Sequence, residues 1–233
     1  MMNSTVVPLS RHRLNAVVSL AVASLICLSI WAARAIYVGA PSYRFLLWNL
    51  FLAWIPLLCA LMTERSRGWL AVACGAAWLL FFPNAPYIIT DLVHLRDHGR
   101  WMFWVNLIML LSFAITGLLL GYLSLYVMQK RVKRHFGPLA GWIFALGTLA
   151  LCSFGIYLGR FGRWNSWDVV VEPVSLLRDI WQIVRHPIGN WEVYAISALM
   201  TAFLVGTYLA LYHFARPSPG EARPVRHSLG SAS

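Results

Sequence analysis

Phe81-Phe82-Pro83-Asn84-Ala85-Pro86-Tyr87-Ile88-Ile89-Thr90-Asp91-Leu92-Val93-His94-Leu95 is the stretch on which the architecture of this chain turns. It follows an apolar run, Trp69 to Phe82, of 14 residues. As a helix that run covers about 21 Å, short of the roughly 30 Å hydrocarbon core of a bilayer. The Pro83–Pro86 interruption is therefore expected within one leaflet and not in a loop. Proline has no N–H, so Pro83 leaves the Leu79 carbonyl without its helical donor, and Pro86 does the same to Phe82. In hydrocarbon such carbonyls need partners from other helices or from a water-filled cavity. If helix resumes with Asn84 as its N-cap, then Tyr87, Thr90, Asp91, His94 and His98 fall on one face. Ile88, Ile89, Leu92, Val93 and Leu95 cover the other, so the polar stripe is expected to face the bundle interior.

The remainder of the chain sets this stretch in a membrane. Of 233 residues, 60% are apolar and only 12% charged, where soluble domains carry about a quarter charged. Apolar runs of spanning length recur at about 14–37, 45–62, 69–89, 101–128, 139–158 and 191–214. The expected fold is all-α, a polytopic membrane protein with a bundle of six transmembrane helices, the third broken, plus a short interfacial helix. It fills residues 14–215, between a 1–13 tail and a 216–233 tail whose Pro, Ser, Gly and Arg content predicts disorder. Cys27, Cys59, Cys74 and Cys152 all lie in apolar runs without C-x-x-C spacing and act as small apolar groups. Arg11 and Arg13 precede an apolar run from Leu14 to Ala33, too long for a signal-peptide core of about 7–15 residues, which predicts an uncleaved first span.

The net charge of +11 sits mostly in short loops and at the two ends, where membrane orientation explains it, so nucleic acid is not an expected partner. Lys and Arg number eleven on the side of the termini and eight on the other. The positive-inside bias thus predicts a multi-pass inner-membrane protein with both termini cytoplasmic. Both the Pro83 region and the cluster Gly159-Arg160-Phe161-Gly162-Arg163-Trp164-Asn165-Ser166-Trp167-Asp168 then lie on the outer side. Trp31, Tyr37, Tyr43 and Trp48 read as outer-interface belt residues, and Pro56 as a kink in a largely structural second span. Gly117-x-x-x-Gly121 and Gly155-x-x-x-Gly159 predict close pairing of the fourth and fifth spans. Leu177, Ile180, Trp181 and Val184 share one face of an interfacial helix ended by Pro187.

The stretch Phe82 to Leu95, followed by Gly159-Arg160-Phe161 and by Arg163-Trp164-Asn165-Ser166-Trp167-Asp168, resembles a family of bacterial integral membrane proteins, the domain of unknown function 1361. The resemblance runs from about the second span to the sixth. It implies a six-helix bacterial membrane protein and carries no activity with it.

The polar residues admit several chemistries. Asp91, His94 and His98 have metal-ligand spacing, with Asp168 as a further oxygen, yet no HExxH-type signature is present and no metal is expected. Arg160 and Arg163 with Asn84, Asn165 and Ser166 suit an anion, since the guanidinium fork takes phosphate or carboxylate bidentately. At a membrane surface that anion is a lipid head group or a lipid-linked group. The competing structural role is pairing of Arg160 or Arg163 with Asp91. Asp91 and His94 are the candidate catalytic residues, as general bases beside an arginine-held substrate, although nucleophile-elbow and Walker signatures are absent. Whether the protein is an enzyme stays open, and no cofactor is specified. The expected site is an outward-opening polar pocket walled by Pro83–His98 and Arg160–Asp168, with the 174–185 helix as a lid. Its ligand-binding side chains are Asn84, Tyr87, Thr90, Arg160, Arg163, Asn165, Ser166 and Asp168, and its partner a membrane lipid or lipid-linked anion. The alternatives are a small transporter or channel using Asp91 and His94 in ion or proton coupling, and a structural or assembly partner.

Overall fold

A computed structural model describes residues 11–95 and 99–214. Among them every regular element is helical: α1 (Arg11–Val38), α2 (Phe45–Arg65), α3 (Gly68–Phe81), α4 (Asn84–Tyr87), a 3₁₀ helix (Ile88–His94), α5 (Arg100–Arg160), α6 (Asp168–Val171), α7 (Pro173–Arg185) and α8 (Trp191–Phe214). Five segments are long and apolar enough to cross a membrane: α1 from Arg13, α2, the stretch Gly68–His94, α5 and α8. The tail predicted at 216–233, most of that at 1–13, and His98 lie outside the described residues.

At 61 residues α5 would measure about 90 Å if straight, three times a bilayer core. It does not run straight. Gly137 has φ 89° and ψ 170°, a conformation that favours glycine, and Pro138 follows without an N–H to extend the preceding turn. Gly117 and Gly155, about 57 Å apart along a straight helix, both contact the same short segment around Pro83 to Ile88. The run therefore doubles back at Gly137 into two limbs. Leu125 and Val127 of the first limb share a buried cluster with Ala145, Leu149 and Cys152 of the second.

The Pro83 region differs from the expectation in a specific way. Phe82 (φ −55°, ψ −40°) and Pro83 (φ −60°, ψ −26°) both stay in the right-handed helical region, so the chain turns through the prolines without leaving helical geometry. Asn84 is not an N-cap: its amide donates to the Phe81 carbonyl at 3.0 Å, while the Phe82 carbonyl accepts from the Ala85 N–H at 3.2 Å. After Tyr87 the helix tightens to 3₁₀ for seven residues, long for that form. With three residues per turn, Ile88, Asp91 and His94 come into line, in place of the Tyr87–Asp91–His94 face that an α period predicts. Ile88 and Asp91 are buried.

The glycine motifs explain where this segment sits. A Cβ on Gly117 would lie 2.6 Å from the Ala85 carbonyl oxygen, and one on Gly121 3.1 Å from the Ala85 Cβ. On the returning limb, a Cβ on Gly155 would meet Pro83 Cγ at 3.1 Å, and one on Gly159 the Tyr87 ring at 3.3 Å. The expected span-to-span pairing through these glycines is thus replaced by a groove. Its two edges come from the two limbs of α5, and the Pro83–Ile88 segment lies in it.

On the far side α8 packs against α5, with the Tyr122 hydroxyl donating to the Leu204 carbonyl at 2.8 Å and that of Tyr208 to Gln129 Oε1 at 2.7 Å. Helix α7 leaves Leu177, Trp181 and Val184 exposed while Leu176 is buried, as suits a helix lying at an interface.

Gly117→Ala is expected to destabilise the protein by about 1–3 kcal/mol, since it drives a methyl into backbone. Gly147→Ala, on the same helix with open space around it, is expected to be neutral or slightly stabilising. Thermal unfolding of the two variants in mild detergent checks the contrast.

Candidate functional site

The groove delivers the 3₁₀ helix to the end of α5's second limb. Asp91 is almost fully buried, and its carboxylate is held from two sides. Arg160 Nη1 reaches Oδ1 at 3.5 Å, and Asn49 Nδ2 of α2 donates to Oδ2 at 2.7 Å. The other terminal nitrogen of Arg160 lies 3.0 Å from His94 Nε2. A single guanidinium thus spans Asp91 and His94, three residues apart, which 3₁₀ geometry places one above the other. The His94 ring also packs against Phe45, with centroids 4.9 Å apart. The expected Asp91–arginine pairing is made by Arg160.

The network continues into α1. The Tyr43 hydroxyl donates to the His94 carbonyl at 3.1 Å, and the Arg34 guanidinium lies over the Tyr43 ring, 4.7 Å from its centroid. Tyr43 has φ 62°, a left-handed conformation that costs a non-glycine residue on the order of 1–2 kcal/mol. Its hydroxyl bond and its place beneath Arg34 hold it there. Arg34, 6% exposed, donates from Nε to Asn106 Oδ1 at 2.7 Å. Arg34 Nη1 and Asn106 Nδ2 are buried N–H donors that meet no acceptor among the described residues. Among the described residues no carboxylate pairs with Arg34; the three ion pairs there are Arg13–Glu64, Arg134–Glu64 and Arg160–Asp91.

The other predicted ligand-binding residues separate. Asn84 donates to Ser166 Oγ at 2.8 Å, fastening the proline region to the loop after α5. Thr90 donates to the Tyr87 carbonyl at 2.7 Å, and the Tyr87 ring covers Gly159. Asp168 accepts from the Asn165 backbone N–H at 2.6 Å and from its side-chain amide at 3.2 Å, closing a local turn before α6. Arg163 is exposed, with φ 59°, and does not join Arg160. The arginine pair expected to clamp an anion is thus divided: Arg160 is committed to Asp91 and His94, and Arg163 faces outward.

The two motifs meet in direct contact. An opening of about 330 Å³ nearby lies between the end of α5, α7 and α8, lined by Tyr157, Phe161, Trp164, Asp179, Gln182 and His186. None of the eight predicted ligand-binding side chains lines it. Among the described residues no three His, Cys, Asp or Glu side chains are grouped to hold a metal ion.

Asn49, Arg34, Asn106 and Tyr43 are the residues that sequence reasoning missed. The signal was available in part: an arginine and two asparagines inside otherwise apolar spans are costly unless they find partners. In the sequence alone Arg34 counts toward topology and Tyr43 as a belt residue.

A family model described as "Protein of unknown function (DUF1361)" matches residues 48–207. That is more than half of the chain, and the chain belongs to this family. No curated protein and no solved structure matches it.

Asn49→Leu is expected to lower stability by about 1–3 kcal/mol, because it leaves one oxygen of a buried carboxylate without a donor. Arg163→Gln is expected to stay within about 0.5 kcal/mol of the parent. Unfolding midpoints of the two purified variants test whether the network, and not the outward loop, carries the structure.

Proposed function

We propose that this DUF1361 protein is a six-crossing protein of the bacterial inner membrane, with both termini cytoplasmic, that binds an anionic group at the Asp91 end of its bundle. The ligand class is the phosphate or carboxylate of a lipid head group or lipid-linked anion. The turn at Gly137 supports the six crossings, since it divides α5 into limbs of about 37 and 23 residues, each of spanning length. The excess of Lys and Arg on the side of the termini supports the orientation.

The observation that carries the anion assignment is the network's surplus of donors. Arg34 and Arg160 bring two positive charges, and among the described residues Asp91 is the carboxylate that pairs with one of them, Arg160. Within this network Arg34 Nη1 and Asn106 Nδ2 are donors without acceptors among the described residues. A buried donor left unpaired costs about 1–3 kcal/mol, more beside a charge. An anionic oxygen supplies what both lack. Ion-coupled transport through Asp91 and His94 is the second possibility, favoured by their shared contact with Arg160. It differs in predicting flux.

Asn106→Asp discriminates. The new carboxylate would face Arg34 in the place proposed for the ligand, so this variant is expected to unfold at higher temperature and to lose copurifying anionic lipid in native mass spectra. Arg34→Gln is expected to lose the lipid and the stabilisation together. If the parent carries no anionic lipid or phosphate, or if Asn106→Asp retains it undiminished, the assignment fails.

A further inference from the structure

The opposite end of the bundle carries a second cationic feature that the Asp91 network does not involve. Where the first limb of α5 approaches Gly137, a groove of about 370 Å³ opens between it and α8, lined by Tyr126, Gln129, Lys130, Lys133, Arg134 and Tyr212. Around it the charge is strongly one-sided. Among the described residues at this end Glu64 is the acid, set against Arg13, Lys130, Arg131, Lys133 and Arg134, and it is already engaged. Arg13 pairs with Glu64, and Arg134 reaches it at 3.4 Å from an exposed position. Arg131 turns away, donating to the backbone carbonyls of Thr63 and Ser66. Lys130 and Lys133 are exposed and make no hydrogen bond or ion pair among the described residues, so their ammonium groups are available to the groove.

The wall behind them carries a buried amide. Gln129 is 4% exposed, and its Oε1 accepts from the Tyr208 hydroxyl at 2.7 Å. With its oxygen taken, the amide's NH₂ is the remaining donor at the groove. The groove therefore combines two free ammonium groups, part of a guanidinium and an amide donor, a set that matches phosphate oxygens.

We infer that this groove binds the phosphate of an anionic phospholipid head group. Its position selects a lipid over a soluble phosphate. It lies beside the Gly137 turn of α5 and the C-terminal end of α8, where two segments of spanning character leave the apolar core. Phe136 and Leu139 in the turn, and Phe214 at the end of α8, are strongly exposed and give the acyl chains an apolar border. Basic pockets between transmembrane helices on the Lys/Arg-rich side are suited to acidic head groups. The site is independent of the anion assignment at the Asp91 end.

The test is native mass spectrometry of the full chain in mild detergent, titrated separately with phosphatidylglycerol and phosphatidylcholine. Phosphatidylglycerol is expected to bind on the order of tenfold more tightly. Lys130→Gln/Lys133→Gln, at exposed positions that leave the fold intact, is expected to weaken it by about tenfold or more. Arg178→Gln on α7 is expected to leave it unchanged. Equal binding of the two lipids, or undiminished binding by the double lysine variant, overturns the proposal. So does displacement of phosphatidylglycerol by millimolar inorganic phosphate, which would assign the groove to a soluble anion.

Discussion

The close fit of the Pro83–Ile88 segment between Gly117 and Gly121 on one limb of α5 and Gly155 and Gly159 on the other is the constraint on which the rest depends. Side chains at these positions would hold the third span away from α5 by a methyl group or more. Without them the Ala85 backbone and the Tyr87 ring come into contact with helix surface. Proline suits such a site, because it presents an apolar ring and no N–H that would need an acceptor. In lipid, where burial of apolar surface between helices adds little, this kind of contact is what holds helices together.

From that contact the polar network follows. A segment pinned at Ala85 and Tyr87 and wound as 3₁₀ places Asp91 and His94 on one side, three residues apart, against the end of α5 where Arg160 stands. Asn49 closes the remaining oxygen of Asp91, and Tyr43 ties the His94 carbonyl to Arg34. Four elements thus converge on one buried carboxylate and two arginines. Charged groups in such surroundings persist when they are paired or serve a ligand. Arg160 is paired, and among the described residues Arg34 has donor capacity left over.

Much of this was legible in the residues. The apolar runs located the helices long and apolar enough to cross a membrane, the fourth and fifth runs falling in α5, and the oddity of two prolines before Asp91 and His94 pointed to the contact between Asp91 and an arginine. The winding was not legible: the α and 3₁₀ periods differ by about half a residue per turn, and tertiary packing against α5 decides between them. The role of the glycines also escaped the sequence, because small-x-x-x-small spacing says that something approaches closely without saying what. Asn49, Arg34 and Asn106 stand 42, 57 and 15 positions from Asp91 along the chain. Only the fold brings them to it.

The central claim is that Arg160 and Asp91 act as one unit in the folded protein, and a double-mutant cycle of Asp91→Asn and Arg160→Gln, read by unfolding free energy in mild detergent, tests it most directly. The account predicts that each single variant is strongly destabilised and that the double variant is less so than their sum, with a coupling of about 1–3 kcal/mol. Additive effects within about 0.3–0.5 kcal/mol would contradict it.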